Sequence, residues 1–459
     1  MSVPELLAPA GELDKLRTCL VYGADAVYLG GRGGNLRAAC RGFGPEELRL
    51  ALSEASAFGA RIYYCLNSIA TERDLRALPA RIEDAAEAGV HGFIIADPGV
   101  LRLARRYAPG VEVHLSTQAN SSNSESMAFW AGQGVGRVNL ARELDCREIH
   151  DICRARRNME QGPGGRPMEL EVFVHGAMCL AVSGHCLLSA WLNARSGNQG
   201  RCTQPCRFEY RALESPLVVE ERTRPGEPLW RVEQGEDFSS FWATSDLCLL
   251  PWLGWFAANG VDAIKIEGRM KSAGYLAHVV DAYRVFLDAL RAGAGSENPA
   301  AHGRTNLLRD CMTELYLSAT RPLDSGFFLH GRRRNLTREF IVREAPPTRP
   351  NRSGEGELPE LGRQVLARVA EPLGPGAWLV DLRGNWERAR DVELMLPGLA
   401  RPLLAGGAYG LENQRGEAVK MLGNGVRAVF RCEEPGLAPG MFIRAAPVRG
   451  RAFWCTVTL

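Results

Sequence analysis

The chain has 459 residues, of which 46% are hydrophobic and 24% are charged. This composition is typical of globular proteins and excludes a disordered or collagen-like chain, and at about 100–200 residues per domain the length predicts two or three domains. The 55 basic and 53 acidic residues nearly cancel, so the net charge alone does not demand a nucleic-acid partner. No apolar run reaches the roughly 18 residues that a membrane helix needs, and residues 1–11 lack the features of a signal peptide. We therefore expect a cytoplasmic protein without a membrane partner.

Two residue types have unusual distributions. The chain has 13 cysteines, and in a reducing compartment clustered thiols bind metals more often than they form disulfides. Among the basic residues only Lys15, Lys265, Lys271 and Lys420 are lysine, and the base composition of a GC-rich genome would explain the arginine excess. Two of these lysines lie close together near position 270, which singles out that stretch.

The N-terminal part of the chain alternates apolar, β-branched runs with amphipathic helical stretches, the pattern of a parallel sheet. The predicted strands are Glu5–Ala8, Ala26–Leu29, Arg61–Leu66, Gly92–Ala96, Glu112–Gln118, Arg137–Ala141, Glu169–Val174 and Ala263–Ile266. Helices are predicted at Pro45–Ala57, Thr71–Ala88 and Gly274–Ala292. Eight strands in this order favour a TIM-like (β/α)8 barrel over residues 1–295 rather than an open sheet. No GxGxxG motif opens a helix after the first strand, which argues against dinucleotide binding.

A long insertion separates the seventh and eighth strands, and we place it at residues 175–260. It is much longer than an ordinary loop inside a compact domain. In a barrel of this type the connection leaves the C-terminal face, where active sites are built. The insertion is therefore expected to carry function.

The rest of the chain changes character. Residues 296–354 are interpreted as a linker region with a basic run, Arg332–Arg334. Residues 355–459 are predicted to form a small C-terminal β-barrel domain, because short alternating strands are separated there by Gly and Pro turns. Its predicted strands are Gln364–Ala370, Ala377–Leu382, Arg427–Arg431 and Phe453–Leu459.

Four cysteines with the spacing C-x6-C-x15-C-x3-C lie in the insertion: Cys179, Cys186, Cys202 and Cys206. Soft thiolates at this density suit zinc or an iron–sulfur cluster. Structural zinc usually has two close cysteine pairs, whereas only the second pair is close here. The spacing thus favours a cluster, with zinc and merely buried thiols as alternatives, and with Cys40 and Cys248 as rival ligands.

Charged and polar residues follow the predicted strands at the same end of the barrel. After the last strand come Lys265, Glu267, Arg269 and Lys271, and the period of two in a strand places Lys265 and Glu267 on one side. His114, Ser116, Gln118 and Asn120 alternate along the fifth strand and are expected to face inward, because outer barrel faces contact helices and are apolar. Arg37 follows the second strand and could bind an anion. The alternatives are surface charges at a strand end and a solvated loop.

Several motifs resemble peptidase family U32. They are Pro4–Gly11 (PELLAPAG), Tyr22–Tyr28 (YGADAVY), His114–Asn120 (HLSTQAN), Glu171–Cys179 (EVFVHGAMC), Asn198–Arg207 (NQGRCTQPCR) and Lys265–Ser272 (KIEGRMKS). The resemblance covers the chain and includes a C-terminal β domain. One departure is His185, before the second cysteine, where the family pattern would place arginine.

The resemblance implies a 4Fe–4S cluster on Cys179, Cys186, Cys202 and Cys206. It further implies hydroxylation of the wobble uridine in the anticodon loop of tRNA, with prephenate as co-substrate. Other members hydroxylate a cytidine of 23S rRNA, serve ubiquinone-ring hydroxylation or are called collagenase-like peptidases. The chain has no HExxH, GxSxG or Walker motif.

We assign roles at the barrel mouth on these grounds. The catalytic candidates are Lys265, Glu267 and Arg269. The substrate-binding candidates are Arg37, His114, Gln118, Asn120, His175 and Lys271. Lysine and arginine would bind the carboxylates of the donor, and the basic run at residues 332–334 would contact RNA phosphates.

Overall fold

A computed structural model describes the fold. It covers residues 3–32, 41–157, 165–179, 181–193, 195–207, 233–234, 239–240, 245–293, 301–319, 323–329 and 365–446. Arg37, Cys40, the basic run 332–334 and the predicted strand 453–459 lie outside these residues. Among the described residues no helix is both long enough and apolar enough to cross a membrane.

Eight parallel strands form a closed barrel, as the sequence predicts. They are β1 (Glu5–Pro9), β2 (Ala26–Leu29), β3 (Arg61–Leu66), β4 (Gly92–Ile95), β5 (Glu112–Leu115), β6 (Arg137–Asn139), β7 (Glu169–Ala177) and β11 (Ala263–Ile266), with β8 (Glu233–Gln234), β9 (Ser239–Ser240) and β10 (Asp246–Cys248) in the insertion. The barrel closes because β11 pairs with both β1 and β7. A TIM-like barrel is therefore confirmed.

Helices surround the barrel and connect its strands. They are α1 (Leu13–Val21), α2 (Pro45–Ala57), α3 (Glu72–Leu75), α4 (Leu78–Ala88), α5 (Pro98–Tyr107), α6 (Ser124–Gly132), α7 (Cys146–Arg156), α8 (Leu188–Asn193), α9 (Leu253–Asn259), α10 (Ala273–Gly293) and α11 (Ala301–Ser318). Local signals set several boundaries. Asp97 and Asp145 accept hydrogen bonds from the first free backbone N–H groups of α5 and α7, and Gly89 ends α4 in the left-handed conformation.

The barrel interior is apolar on one side and charged on the other. Tyr28, Tyr63, Cys65, Ile94 and their neighbours form a small internal cluster on β1 to β4. Buried polar residues fill the opposite side, on β5, β6, β7 and β11: His114, Arg137, Asn139, Glu171 and Lys265. Because each buried charge needs a partner, this side of the barrel is built as a network.

Three predicted elements differ from the structure. The predicted helix at 71–88 is two helices, because Pro79 cannot donate a backbone hydrogen bond and is tolerated only in the first turn of α4. The fifth strand ends at Leu115 and a short 3-10 turn follows it at Thr117–Ala119. The region interpreted as a linker, 296–354, contains helix α11. Its buried positions 308, 311, 312 and 315 have helical spacing, which the polar stretches around it obscured.

The C-terminal region is an antiparallel half-barrel with its own core. Its strands are β13 (Val365–Gly374), β14 (Ala377–Leu382), β15 (Trp386–Glu387), β16 (Val392–Met395), β17 (Leu403–Leu404), β18 (Gly410–Glu412), β19 (Met421–Leu422), β20 (Arg427–Arg431) and β21 (Phe442–Ala445), while β12 (Leu323–Asp324) extends the barrel sheet beside β10. Seven of the strands form one sheet in the order β17-β16-β21-β13-β14-β20-β18.

Buried ion pairs join this sheet to the barrel helices. Arg444 is fully buried and bonds to both carboxylate oxygens of Glu314 on α11, at 2.7 and 2.8 Å. Arg401 bonds to Asp281 on α10 at 2.7 Å. Because these charges have no water to solvate them, their pairing ties the two parts of the molecule together.

Candidate active site

A cavity of about 360 Å³ lies at the C-terminal ends of the barrel strands, beneath the cysteine-bearing insertion. Strand ends supply Tyr28, Cys65, Asn139, Phe173 and Lys265. The segments that follow the strands add further lining residues, and the insertion supplies the remaining part of the wall. Ligands of barrel enzymes bind at this end of the fold. The cavity is therefore the candidate active site.

The four predicted cluster ligands all line this cavity: Cys179, Cys186, Cys202 and Cys206. Cys179 lies two positions after the end of β7, and the other three lie on the turns around α8. Cys202 is exposed and the other three are partly buried. The fold thus brings together thiols that are up to 27 positions apart in the sequence.

Two of these sulfurs each accept a hydrogen bond from a nearby backbone N–H group. The backbone N–H of Leu188 donates to Cys186 Sγ at 3.4 Å, and that of Gln204 donates to Cys202 Sγ at 3.3 Å. Such bonds stabilise a thiolate and tune the potential of a cluster. Gly197 lies beside the same sulfur, since a Cβ there would be in van der Waals contact with Cys202 Sγ, at 3.7 Å.

Other cysteines are placed differently. Cys248 is buried in the core, where its Sγ lies 3.9 Å from the Met312 sulfur, and it does not line the cavity. Cys65 lines the cavity from β3, but burial raises the pKa of its thiol. A raised pKa disfavours the thiolate that metals bind. Among the described residues no group of three or more His, Cys, Asp or Glu side chains could hold a metal ion.

The charged residues that line the cavity are Arg142, Lys265, Glu267 and Arg269, and we call them the charged wall. Lys265 is described first. It is 3% exposed and its Nζ donates to Glu171 Oε1 at 2.7 Å. The same oxygen accepts a 2.7 Å bond from Asn139 Nδ2. Burial alone would raise the pKa of Glu171, but Lys265 and Arg137 outweigh it and hold this pKa below its ordinary value. Glu171 is therefore a charged anchor for the ammonium group and the amide.

The network continues to the N-terminal end of the barrel. Arg137 NH1 lies 3.5 Å from Glu171 Oε2 and donates to Glu5 Oε1 at 2.7 Å. Tyr63 donates to the other oxygen of Glu5 at 3.0 Å. Burial opposes the charge of Arg137, yet Glu5 and Glu171 raise the pKa of its guanidinium. Alternating charges thus run along the barrel interior up to the cavity.

Glu267 and Arg269 line the cavity together with Lys265, which agrees with a shared face for positions 265 and 267. The Tyr28 hydroxyl lies 3.4 Å from Glu267 Oε2. Arg142 also lines the cavity, with its guanidinium 3.9 Å from the centre of the Phe173 ring. Three cationic groups and one carboxylate therefore face this space among its described lining residues.

The polar residues of the fifth strand are divided by the turn that ends it. Ser116 and Gln118 line the cavity and are 4% exposed. His114 is buried lower in the barrel, stacked edge-on against Tyr63 at 4.4 Å, and does not line the cavity. Asn120 has a left-handed backbone and its Nδ2 lies 3.4 Å from His185 Nδ1 in the insertion. Asn120 therefore contacts the insertion rather than the cavity.

Two further substrate-binding candidates lie outside the cavity. A bulge in the pairing of β7 with β11 pairs Lys265 with Phe173 but Ile266 with His175. This turns His175 towards α10, where Tyr275 and Tyr283 contact its two ring nitrogens at 3.1 and 3.4 Å. Lys271 lies 3.4 Å from Asp246. The period of two in a regular strand does not predict this bulge.

Sequence reasoning missed Glu171, Asn139, Tyr28 and Phe173. A usable signal existed for the first two, because Arg137 and Asn139 alternate on β6 as Glu169 and Glu171 do on β7. Charged residues at alternate positions of a buried strand indicate an inward polar face. Tyr28 and Phe173 had no such signal, since aromatic residues in strands are common.

The chain is similar to several known proteins. The family model of peptidase family U32 matches residues 11–338. The chain is 40% identical over 286 residues to tRNA hydroxylation protein P1 of Bacillus subtilis, covering 62% of this chain and 63% of that protein. It is 36% identical over 325 residues to tRNA hydroxylation protein P of Escherichia coli, covering 64% and 70%.

A third relative has a name that refers to a different RNA. The 23S rRNA 5-hydroxycytidine C2501 synthase of Escherichia coli is 31% identical over 301 residues, covering 66% of this chain and 42% of that protein. The chain spans less than two thirds of the length of the Bacillus subtilis relative. The match of the family model to most of the barrel, including all four clustered cysteines, shows that this chain belongs to peptidase family U32.

Proposed function

We propose that this protein is an iron–sulfur-dependent RNA hydroxylase that converts the wobble uridine of tRNA to 5-hydroxyuridine in the cytoplasm, with prephenate as the donor. The observation that carries the proposal is the convergence of four cysteines, Lys265 and Arg269 on one cavity. The names of the two most similar relatives described above support tRNA as the substrate.

The four cysteines suit a 4Fe–4S cluster better than a single zinc ion. Structural zinc usually has two close cysteine pairs, whereas only Cys202 and Cys206 are close in sequence here. In a cluster each thiolate binds its own iron, so the sulfurs stand further apart. When bound, such a cluster supplies redox chemistry beside the substrate.

The charged wall has more cationic than anionic groups, which suits the two carboxylates of prephenate. Arg142, Lys265 and Arg269 outnumber Glu267 among the charged lining residues. A guanidinium presents paired N–H donors that match a carboxylate, and burial strengthens that interaction. In this proposal Arg269 and Lys265 orient the donor, and Glu267 lies where a proton could be taken up or held.

The target base must leave the anticodon stack to reach the cavity. The cavity lies at the strand ends behind the insertion, and its 360 Å³ suit an unstacked base rather than a duplex. Proteins usually read RNA through such splayed bases in single-stranded loops. The anticodon loop meets this requirement.

Anaerobic purification tests the cluster. We expect a brown protein with about four irons and four sulfides per chain. Serine replacements of Cys179, Cys186, Cys202 or Cys206 should each lower the iron content, whereas Cys146→Ser, on α7 and outside the cavity, should retain it. A colourless wild-type protein that contains one zinc would contradict the proposal.

Mass spectrometry of nucleosides from a deletion strain tests the substrate. We expect loss of the 5-hydroxyuridine-derived nucleosides of tRNA and unchanged 23S rRNA. Loss of 5-hydroxycytidine from 23S rRNA with unchanged tRNA would instead favour the activity of the third relative described above.

A further inference from the structure

The cavity wall contains the side-chain amide of Asn139. A hydrogen bond to Glu171 fixes the orientation of this amide, and its oxygen accepts no hydrogen bond from the described residues. Asn139, at the end of β6, is 2% exposed and lines the cavity. Its Nδ2 donates to Glu171 Oε1 at 2.7 Å. A carboxylate accepts and cannot donate, so this contact decides which end of the amide is the nitrogen. Asn139 Oδ1 therefore points away from Glu171.

Within the described part of the chain, Asn139 Oδ1 is buried and has no hydrogen-bond partner. Gln118 Oε1, from the turn after β5, is a second such oxygen in the same wall. A buried acceptor without a donor is destabilising, because it has lost its hydrogen bond to water. A ligand that brings an N–H group to this wall would replace that hydrogen bond.

Glu171 also places a donor beside this acceptor. Lys265 Nζ and Asn139 Nδ2 bond to the same oxygen, each at 2.7 Å, so the ammonium group and the amide are neighbours. Through Glu171 Oε1, one hydrogen-bonded group thus holds both the N–H donors of Lys265 and the amide that carries the carbonyl acceptor of Asn139. Uracil has the matching edge, because its N3–H donor lies between two carbonyl acceptors.

We propose that Asn139 is a specificity-determining residue that accepts a hydrogen bond from N3–H of the target uracil. Lys265 has three N–H donors, of which one bonds to Glu171; a second donates to the adjacent uracil carbonyl, and the third is left for a carboxylate of the donor. This inference rests on the proposed tRNA uridine substrate and adds to it the residues that recognise the base. Glu171 acts as the positioning residue, because it holds both side chains in register. A carboxylate of the donor could not fill this role, since it has no N–H to give.

Equilibrium binding of synthetic anticodon stem-loops to the full-length, cluster-loaded protein tests the inference. One RNA carries uridine at the wobble position and the other carries 3-methyluridine, which lacks the N3–H. We expect the wild-type protein to bind the methylated RNA at least about tenfold more weakly, the loss of one buried hydrogen bond. This comparison requires no variant, so a folding defect cannot obscure it.

Variants assign the effect to the residue. Asn139→Ala should weaken binding of the uridine RNA and reduce the ratio between the two RNAs towards one. Asn67→Ala, which removes another amide from the same cavity wall, should leave the ratio unchanged. Thermal unfolding of each variant checks that it is folded. In turnover, Asn139→Ala should raise KM for RNA while KM for the donor stays constant.

Failures of the inference and of the proposed function are distinguishable. If the wild-type protein binds both stem-loops equally, or if Asn139→Ala keeps the full ratio, the role of Asn139 is overturned while tRNA hydroxylation stands. If KM rises for the donor alone, Asn139 serves the donor instead. If the deletion strain keeps its 5-hydroxyuridine nucleosides, both proposals fall.

Discussion

Lys265 is buried beside the cavity, and its charge is balanced mainly through Glu171. Removing one member of a buried pair leaves an uncompensated charge and typically costs about 3–5 kcal/mol. We expect Lys265→Met to lower the free energy of unfolding by about that amount, measured by denaturant titration. Lys271→Met, which removes a longer and more exposed contact to Asp246, should cost clearly less. Equal losses would show that burial of the Lys265–Glu171 pair does not increase its contribution to the free energy of unfolding.

His175 makes stability depend on pH. Burial lowers its pKa to about 4, whereas an exposed histidine has a pKa near 6.5. Between these values the unfolded chain takes up a proton that the folded chain refuses, so stability is lost as the pH falls from about 6.5 to about 4, by up to about 1.4 kcal/mol per pH unit. Denaturant titrations of His175→Gln should show a shallower decline. If the stability of His175→Gln falls as steeply with pH as that of the wild-type protein, His175 does not contribute to the pH dependence.

At the scale of elements, the parallel pairing of β7 with β11 positions the charged wall. Gly176 has φ +103°, and a Cβ there would lie 2.3 Å from the backbone oxygen of Glu267. Gly176→Ala should therefore displace Glu267 and reduce both the iron content and the unfolding free energy. Gly89 has a similar φ of +93° but open space around it, so Gly89→Ala should cost only about 1 kcal/mol and keep the iron. Similar effects of both changes would show that backbone strain alone matters.

At the scale of the whole molecule, the barrel and the C-terminal sheet are joined through Arg444. Its guanidinium bonds to Glu314 on α11 and, at 2.8 Å, to Glu393 on β16. Burial opposes ionisation of Glu314, yet the Arg444 and His278 hydrogen bonds hold the pKa of this carboxyl far below its ordinary value. Arg444→Met should cost about 3–5 kcal/mol, measured by thermal and denaturant unfolding. Arg431→Met, at an exposed pair with Glu412, should change stability little; an equal effect would contradict this view of the interface.

The eight barrel strands and the four clustered cysteines could be predicted from local patterns. Short apolar runs between amphipathic helices depend on residues near in sequence, and the spacing of Cys179 to Cys206 is itself local. The α11 helix was missed because polar stretches around it obscured its apolar spacing. The positions of His175 and Asn120 could not be predicted, since a bulge and a turn change the direction of a side chain without a sequence signal that strand periodicity can detect.

By itself the sequence determined the barrel, the cysteine cluster and the lysines near position 270, because each depends on hydrophobic periodicity or on close spacing. Only the tertiary structure decided which polar groups meet. Asn139, Glu171 and Lys265 lie on three different strands, and closure of the barrel places β7 beside both β6 and β11. Strand register and barrel closure are long-range properties of the chain, and they bring three separate side chains into one hydrogen-bonded group.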